Sequence, residues 1–461
     1  MLFWEGQTVE QMPGRTPVNA KTSKEETNML ARKKTLCVLV CVALVLAVLM
    51  SGCAPKEEKP GVKEAAEVKI ALMYPYSGGS ARVGQSAKWA YETAAEVVND
   101  AHPELDPIPL AKTEGLPNLG GAKIVFVYGD TQSSPEIGYS ETQRMLSVEK
   151  PAVAMGCDAS SVTKTASQAA ERAGVPFVNA DSTSPALNQR GLNWFFRTTP
   201  DDSLFAEDGF KFLKQLKEQK GKKVETVALM FEDSEAGTQL TTLGRSLAPQ
   251  YGFTIVEDIT FHSGTTDLSS EVLRLKAANP DALITMGYDP DVILFVRTLK
   301  EQQYVPPIVI GHRGGWSLPA VAEQLGAAFE DMCSTGVFAA DMLETRPPLA
   351  KVNEMFKAKS GYDLDADTSR IVVGFLVVAE AVNRAGSTDP TAIRDALIAT
   401  SFTAEQTLIA WEGVKFDPVT LQNTLGRGIL TQVIGGQFTT VWPFDAASKE
   451  FVYPIPPWSQ R

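Results

Sequence analysis

The chain has 461 residues, 43 Lys and Arg against 55 Asp and Glu, a formal net charge of −12 and 44% hydrophobic residues. That length is too great for one small core and natural for two lobes, and the acidic balance argues against a nucleic-acid partner. The histidines His102, His262 and His312 are isolated from one another, so no metal-ligand spacing exists, and no phosphate-cradling motif or cofactor signature is present.

Residues 36–50, LCVLVCVALVLAVLM, are an uncharged apolar run preceded by Arg32, Lys33 and Lys34. A spanning helix needs about 20 apolar residues, so this run is short for a permanent anchor and suited to the core of an export signal. Next comes Met50-Ser51-Gly52-Cys53. Small side chains let a peptidase draw extended backbone into a narrow site, and a thiol is the nucleophile that takes a lipid. The tetrapeptide resembles the lipobox of bacterial lipoproteins, with Met50 where Leu is usual, and the resemblance implies lipidation of Cys53 and an extracytoplasmic, membrane-anchored chain. Residues 1–28 exceed an ordinary signal head, whereas a start at Met29 gives a compact MLARKK. Residues 1–52 are therefore read as signal peptide, and 53–67, rich in Lys, Glu and Pro, as lipidated cysteine and flexible tether. Without the first 52 residues, 37 basic and 51 acidic side chains remain, a net of −14.

Beyond the tether the pattern is strand, loop, helix. The apolar run 68–74 leads into Ser77-Gly78-Gly79, and residues 85–100 show helical spacing through Ala87, Ala90, Ala94 and Val97. The alternation repeats with strands at 123–128, 152–155 and 176–179 and helices at 137–148 and 161–173. Residues 102–120 read as a Pro-rich surface insertion. After 194–200 the pattern restarts, with helices at 203–219, 237–251, 267–279 and 291–301 and strands at 224–231, 254–259 and 282–287. Residues 347–400 read as mainly helical, 414–441 as strands with glycine turns, and 452–458 as an irregular edge segment. Strands alternating with helices imply parallel pairing, so the expected fold is α/β: two doubly wound, Rossmann-like lobes.

Two long stretches carry a family resemblance: GAKIVFVYGDTQSSPEIG, GCDASSVTKTASQAAERAGVPFVNADSTSPAL and FFRTTPDD in the first half, and HSGTTDLSSEVLRLKAANPDALITMGYDPD in the second. Over roughly residues 68–441 the chain resembles the type I periplasmic solute-binding proteins of ABC importers, specifically the branched-chain amino acid (Leu/Ile/Val) receptor family in lipoprotein form. The resemblance implies a monomer whose two lobes close on a small solute and dock on permease subunits, with no cofactor and no catalysis. It implies three crossings between lobes, near 197–200, 337–341 and 413–416. Lobe 1 is then 68–196 plus 341–412, lobe 2 is 199–338 plus 416–446, and 447–461 is a C-terminal extension.

In open α/β sheets ligands settle at the carboxyl ends of the strands, where loops and helix N-termini present N–H groups. Ser77, Ser160, Ser161, Asp181, Ser182 and Thr183 fall on such loops, and Ser160, Asp181 and Thr183 match the positions that hold the carboxylate and amine of an amino acid in the family. Helix capping is the competing reading for each. From the second lobe, Ser234 and Tyr288 are candidate cleft residues. Ala236 stands where the family carries a tyrosine hood. Arg313, in GHRGGW, stands where the family has the acidic partner of the ligand ammonium. A guanidinium there, with Arg370 nearby, favours an anionic or neutral polar solute over a zwitterion, so amino acid-like compounds, amides and carboxylates all remain open. Trp316 is either a pocket wall or packing.

Only Cys157 and Cys333 are left to the folded part, and whether they pair is open. His262-Ser263 adjacency is not triad geometry and no nucleophile elbow is present, so hydrolysis is a remote reading. A sensory receptor of the same fold, signalling to a partner protein, is the nearer rival to transport.

Overall fold

The computed structural model describes residues 66–461. Met29, the apolar run, Cys53 and the tether as far as residue 65 lie outside the described residues.

The first lobe is built from β1 (Glu67–Tyr74), α1 (Ala81–Asn99), β2 (Lys123–Asp130), α2 (Pro135–Val148), β3 (Val153–Gly156), α3 (Ser160–Ala173), β4 (Phe177–Asn179) and β5 (Phe195–Arg197). Its sheet runs β2-β1-β3-β4-β5 with every pair parallel. The central strand β1 shows why such a sheet reads as an apolar run. Ile70, Leu72 and Tyr74 pack into one core while Ala71 and Met73 pack into another on the opposite face, so both faces are covered.

The second lobe follows with α4 (Asp202–Lys220), β6 (Thr226–Glu232), α5 (Glu235–Gln250), β7 (Thr254–Phe261), α6 (Ser269–Ala278), β8 (Ala282–Met286), α7 (Asp289–Glu301), β9 (Val309–His312), α8 (Pro319–Leu325) and β10 (Cys333–Gly336). The chain then returns to the first lobe as α9 (Met342–Thr345), α10 (Pro347–Ser360), α11 (Ala366–Ala385), α12 (Pro390–Ile398) and the small pair β11 (Phe402–Thr403) and β12 (Gly413–Val414). It ends in the second lobe as β13 (Ile429–Ile434) and β14 (Gln437–Trp442). The second sheet is ordered β14-β13-β10-β9-β8-β6-β7, parallel from β10 to β7 and antiparallel across β13 and β14. In each sheet the order reverses beside its first strand, between β1 and β3 and between β6 and β8, and those two switch points create the crevices that receive ligands in such folds.

Helix α11 fixes the first lobe against its third layer. Fourteen of its 20 residues are buried, and Asp365 caps it by accepting from the Asp367 and Thr368 amides while the Thr368 hydroxyl accepts from the Asp365 amide. No single helix among the described residues is long and apolar enough to cross a membrane.

The structure departs from the sequence reading at two places, residues 102–120 and the third crossing, and gives the irregular segment 452–458 a role. Leu105, Ile108, Ala111 and Leu116 are buried in the first-lobe core, so residues 102–120 are packed structure and not merely a surface insertion. Residues 452–458 strap the second lobe: the Val452 amide donates to Gln432 Oε1 at 2.9 Å, the Ile455 amide to the Pro307 carbonyl at 2.9 Å, and Trp458 Nε1 to the Tyr304 carbonyl at 2.8 Å. The third crossing, expected at 413–416, falls later. Phe416 and Leu421 lie in the first-lobe core, and Gln422 forms a parallel bridge with Arg197 at the edge of the first sheet, so the chain changes lobes between Asn423 and Ile429. Buried Arg197 ties the first crossing to the third, donating to Gln422 Oε1 at 2.5 Å and to the Ser184 carbonyl at 2.6 Å. Cys157 and Cys333 are both free and buried, one in each lobe's core, and burial pushes both thiols up.

Candidate functional site

The loops at the carboxyl ends of β3 and β4 meet on one side of the cleft and are held together by buried polar side chains. Asn179 Nδ2 donates to the carbonyls of Gly156 at 2.7 Å and Cys157 at 2.9 Å. Ser182 donates to the carbonyls of Cys157 and Asp158, both at 2.9 Å, and its hydroxyl lies 2.7 Å from that of Thr163. The polar atoms of Ser182 are therefore structural, although the residue lines the cavity. Asn179 and Thr163 were not singled out from the sequence; their signal was only a polar residue at a buried strand end and another in the following helix.

Helix α3 begins at Ser160 behind Ala159, and no side chain caps it. Ser160 and Ser161 thus line the cleft at an uncapped helix N-terminus instead of serving as its cap. Ser160 Oγ accepts from the Ser184 amide at 3.4 Å, which links the two loops.

From the opposite lobe come Ser234, Ala236, Met286, Tyr288, Asp289 and Arg313. Ser234 has the capping role, accepting from the Gly237 amide at 3.1 Å while donating to Glu232 Oε1 at 2.5 Å. Tyr288 is 49% exposed and lines the cavity. Arg313 has φ of 45° and ψ of −149°, a positive-φ conformation rarely adopted by residues with a side chain. It reaches across to Thr183 Oγ1 and donates to Asp202 Oδ1 at 3.0 Å. A second contact between the lobes joins Ser184 Oγ to Gln239 Oε1 at 3.0 Å. The cavity, open to solvent along the cleft, has a volume of about 710 Å³, within the ordinary range for a small-molecule site.

Three expectations change at this level. Ser77 turns away from the cleft and donates to Asp130 Oδ2 at 2.6 Å, while the neighbouring Gly79, Ser80 and Arg82 line the cavity in its place. Arg370 lies buried beneath the cavity floor, not in it. It donates to the Asp181 carbonyl and carboxylate, both at 3.0 Å, to Thr199 Oγ1 at 3.2 Å, and to Asp367. Burial pushes the Asp181 carboxyl up and Arg370 pulls it back down. Arg313 is not a free cation in the cleft, because its guanidinium is paired with Asp202. The cavity is lined by Asp158, Asp181, Asp202, Asp289, Asp365 and Asp367 against Arg82 and Arg313, so the surplus is negative even with Arg370 counted. Asp202, missed from the sequence, is 3% exposed with its Oδ2 lacking any protein partner. An acidic doublet opening a helix just after a lobe crossing was the available signal.

Trp316 is packing. It stacks on Phe329 with centroids 5.7 Å apart, and a Cβ on Gly311 would stand 2.0 Å from its ring, which explains the glycine in GHRGGW. The adjoining His312 is buried, its Nδ1 3.1 Å from Thr335 Oγ1, and burial pulls its pKa to about 4. No cluster of His, Cys, Asp or Glu suited to a metal ion occurs among the described residues.

Two α/β lobes connected by three crossings, with a cavity between the carboxyl ends of their parallel strands, define a bilobal binding protein of the periplasmic type I class. The chain belongs to the periplasmic binding protein family, whose sequence profile matches residues 67–418. It is 30% identical over 419 residues to Leu/Ile/Val-binding protein homolog 7 of Brucella suis, covering 90% of this chain and 98% of that one. It is 29% identical over 392 residues to Leu/Ile/Val-binding protein homolog 8 of Brucella abortus, covering 83% and 92%. Among solved structures, the fold is shared with a leucine binding protein from Thermotoga maritima (TM-score 0.67, 20% identity, 82% of this chain and 99% of that one). It is also shared with a branched-chain amino acid transporter substrate binding protein from Streptococcus pneumoniae in complex with isoleucine (TM-score 0.64, 19% identity, 84% and 100%). The family places such proteins outside the cytoplasm.

Proposed function

We propose that the protein captures a zwitterionic amino acid between its lobes and delivers it to the permease of an ABC importer, working from a lipid anchor at Cys53. The observation that carries this reading is the pairing of opposite electrostatic features across one cavity. On one side lies the uncapped N-terminus of α3 with Ser160 and Ser161, suited to a carboxylate. On the other lies Asp202, whose Oδ1 is held by Arg313 and whose buried Oδ2 has no partner among the described residues; in this reading that second oxygen receives the ammonium. In this reading Asp202 does the work that an acidic residue at the Arg313 position does in the amino acid receptors. The surplus of aspartates supports a ligand that carries a positive group, and the Leu/Ile/Val-binding relatives support an amino acid.

Ligand that touches both lobes favours the closed arrangement by its differential affinity for it, and closure is what a permease reads. Thr183 and Arg313 already meet across the cleft, so the ligand head is received where the lobes touch. Calorimetry with amino acids, their amides and their deaminated carboxylic acids tests the proposal. The expected result is saturation at one amino acid per chain with no turnover, and binding at least tenfold weaker for both analogues. Equal binding of the deaminated acid would sink the zwitterion reading.

A further inference from the structure

The 710 Å³ cavity does not end at the amino acid site. A second chamber of about 450 Å³ lies between the lobes and shares Arg82, Ser86, Leu318 and Asp365 with the first, so the two abut along those residues. A water occupies about 30 Å³ of liquid, so the trough has room for a few tens of waters, far more than a leucine side chain displaces.

The second chamber combines an apolar set of side chains with polar ones that include Arg82 and Glu323. Leu318, Pro319, Phe338, Leu364 and Phe438 contribute to its walls. Several of its polar groups are already engaged elsewhere. The Tyr362 hydroxyl is 2.5 Å from that of Ser86, Asp363 accepts from Asn353 at 2.8 Å and from Lys357 at 2.9 Å, and Asp365 caps α11. In the first chamber, position 236 contributes only a methyl group to the wall.

We infer that the substrate is an α-amino acid with a long unbranched apolar side chain, its head beside Ser160, Thr183 and Asp202 and its tail running past Leu318 toward Phe338 and Phe438. This rests on the amino acid reading above and extends it to the tail. The extra volume and the small side chain at position 236 have one common explanation: the site is shaped for a substrate longer than leucine.

The test is titration of the full-length protein with norvaline, norleucine, α-aminooctanoic acid and lysine. Each buried methylene is worth about fourfold in Kd, so α-aminooctanoic acid is expected to bind on the order of sixtyfold more tightly than norvaline. Ala320 is exposed and lines only the second chamber, so Ala320→Trp is expected to abolish that gain and leave norvaline within about twofold of its original Kd. Ala340→Phe, filling the chamber from the second crossing, serves the same purpose independently. Affinity that peaks at norvaline and falls with chain length, or lysine binding more tightly than norleucine, overturns the inference while leaving the amino acid site intact. Failure of every amino acid, short or long, overturns the parent reading as well.

Discussion

Replacing Arg370 with methionine removes a charge while keeping most of the side-chain volume, and it isolates what that charge does. Arg370 is 1% exposed and donates to Asp181 and Asp367. Without it, the buried Asp181 carboxylate loses its salt-bridge partner, and breaking such a pair costs about 3–5 kcal/mol. A cooperative unit of about 400 residues unfolds with an entropy of about 0.8 kcal/mol/K, so the expected loss in Tm is about 4–6 °C. The pH dependence gives a second signature. Burial already pushes the Asp181 carboxyl up, and losing Arg370 removes the pull that opposes it. A folded carboxyl that titrates above its unfolded value of about 3.9 binds a proton on folding, so the variant's deficit is largest at high pH and shrinks as pH falls through the folded value. Thermal unfolding by circular dichroism from about pH 8 to about pH 5, read as wild type minus variant, measures this with other titrating groups cancelled. Adding Asp181→Asn should restore part of the loss. A deficit under about 1 °C, or one that neither varies with pH nor responds to Asp181→Asn, refutes the argument that Arg370 exists to neutralise the cleft floor.

Further outcomes follow from other residues. Asp202→Asn should weaken an amino acid about tenfold to a hundredfold, the worth of a hydrogen bond to a charged group, and leave its deaminated analogue nearly unaffected in calorimetry. Arg313→Met deletes a contact between the lobes worth about 1.5–3 kcal/mol, enough to move an open–closed equilibrium tenfold or more; the radius of gyration in solution scattering without ligand should rise, and an identical curve would mean that the lobes are held by something else. His312 titrates at about 4 in the folded protein against an ordinary 6.5. The unfolded chain therefore takes up this proton first, and stability is lost as pH falls from 6.5 toward 4, by about 3 kcal/mol; His312→Phe should flatten that limb of the stability profile. Cys53→Ser should move the protein from the membrane to the soluble fraction in cell fractionation, and continued sedimentation with membranes would remove the lipid anchor from the account.

Much of the architecture was legible because parallel strands covered on both faces appear as unbroken apolar runs between amphipathic helices. Runs such as 68–74 and 282–287 mark β1 and β8 closely. The third crossing was not legible, because β11 and β12 are two residues each and Gln422 joins the first sheet through a single bridge to Arg197. Within the cleft, loop positions such as Ser160, Asp181 and Thr183 follow from strand ends and are found among the cavity walls. Charge was harder to read. Arg370 meets Asp181 across 189 positions of sequence and Arg313 meets Asp202 across 111, so each looks like a free cation until its partner is placed. Asp202 was hidden for the complementary reason: in Thr-Thr-Pro-Asp-Asp it looks like ordinary helix-starting sequence, and Asp201 does take the capping role, accepting from the Leu204 amide at 3.1 Å.

The late third crossing bears on how the chain reaches its folded state. Arg197 finds its edge partner in Gln422, and α11, the helix that covers one face of the first sheet, is 366–385. The first lobe, although it begins the chain, is incomplete until residues beyond the whole second-lobe α/β unit have emerged. Neither lobe can therefore close its core around a half-synthesised chain, and long-range pairing of this kind is slow to form. That delay keeps the chain unfolded for as long as it is still being made.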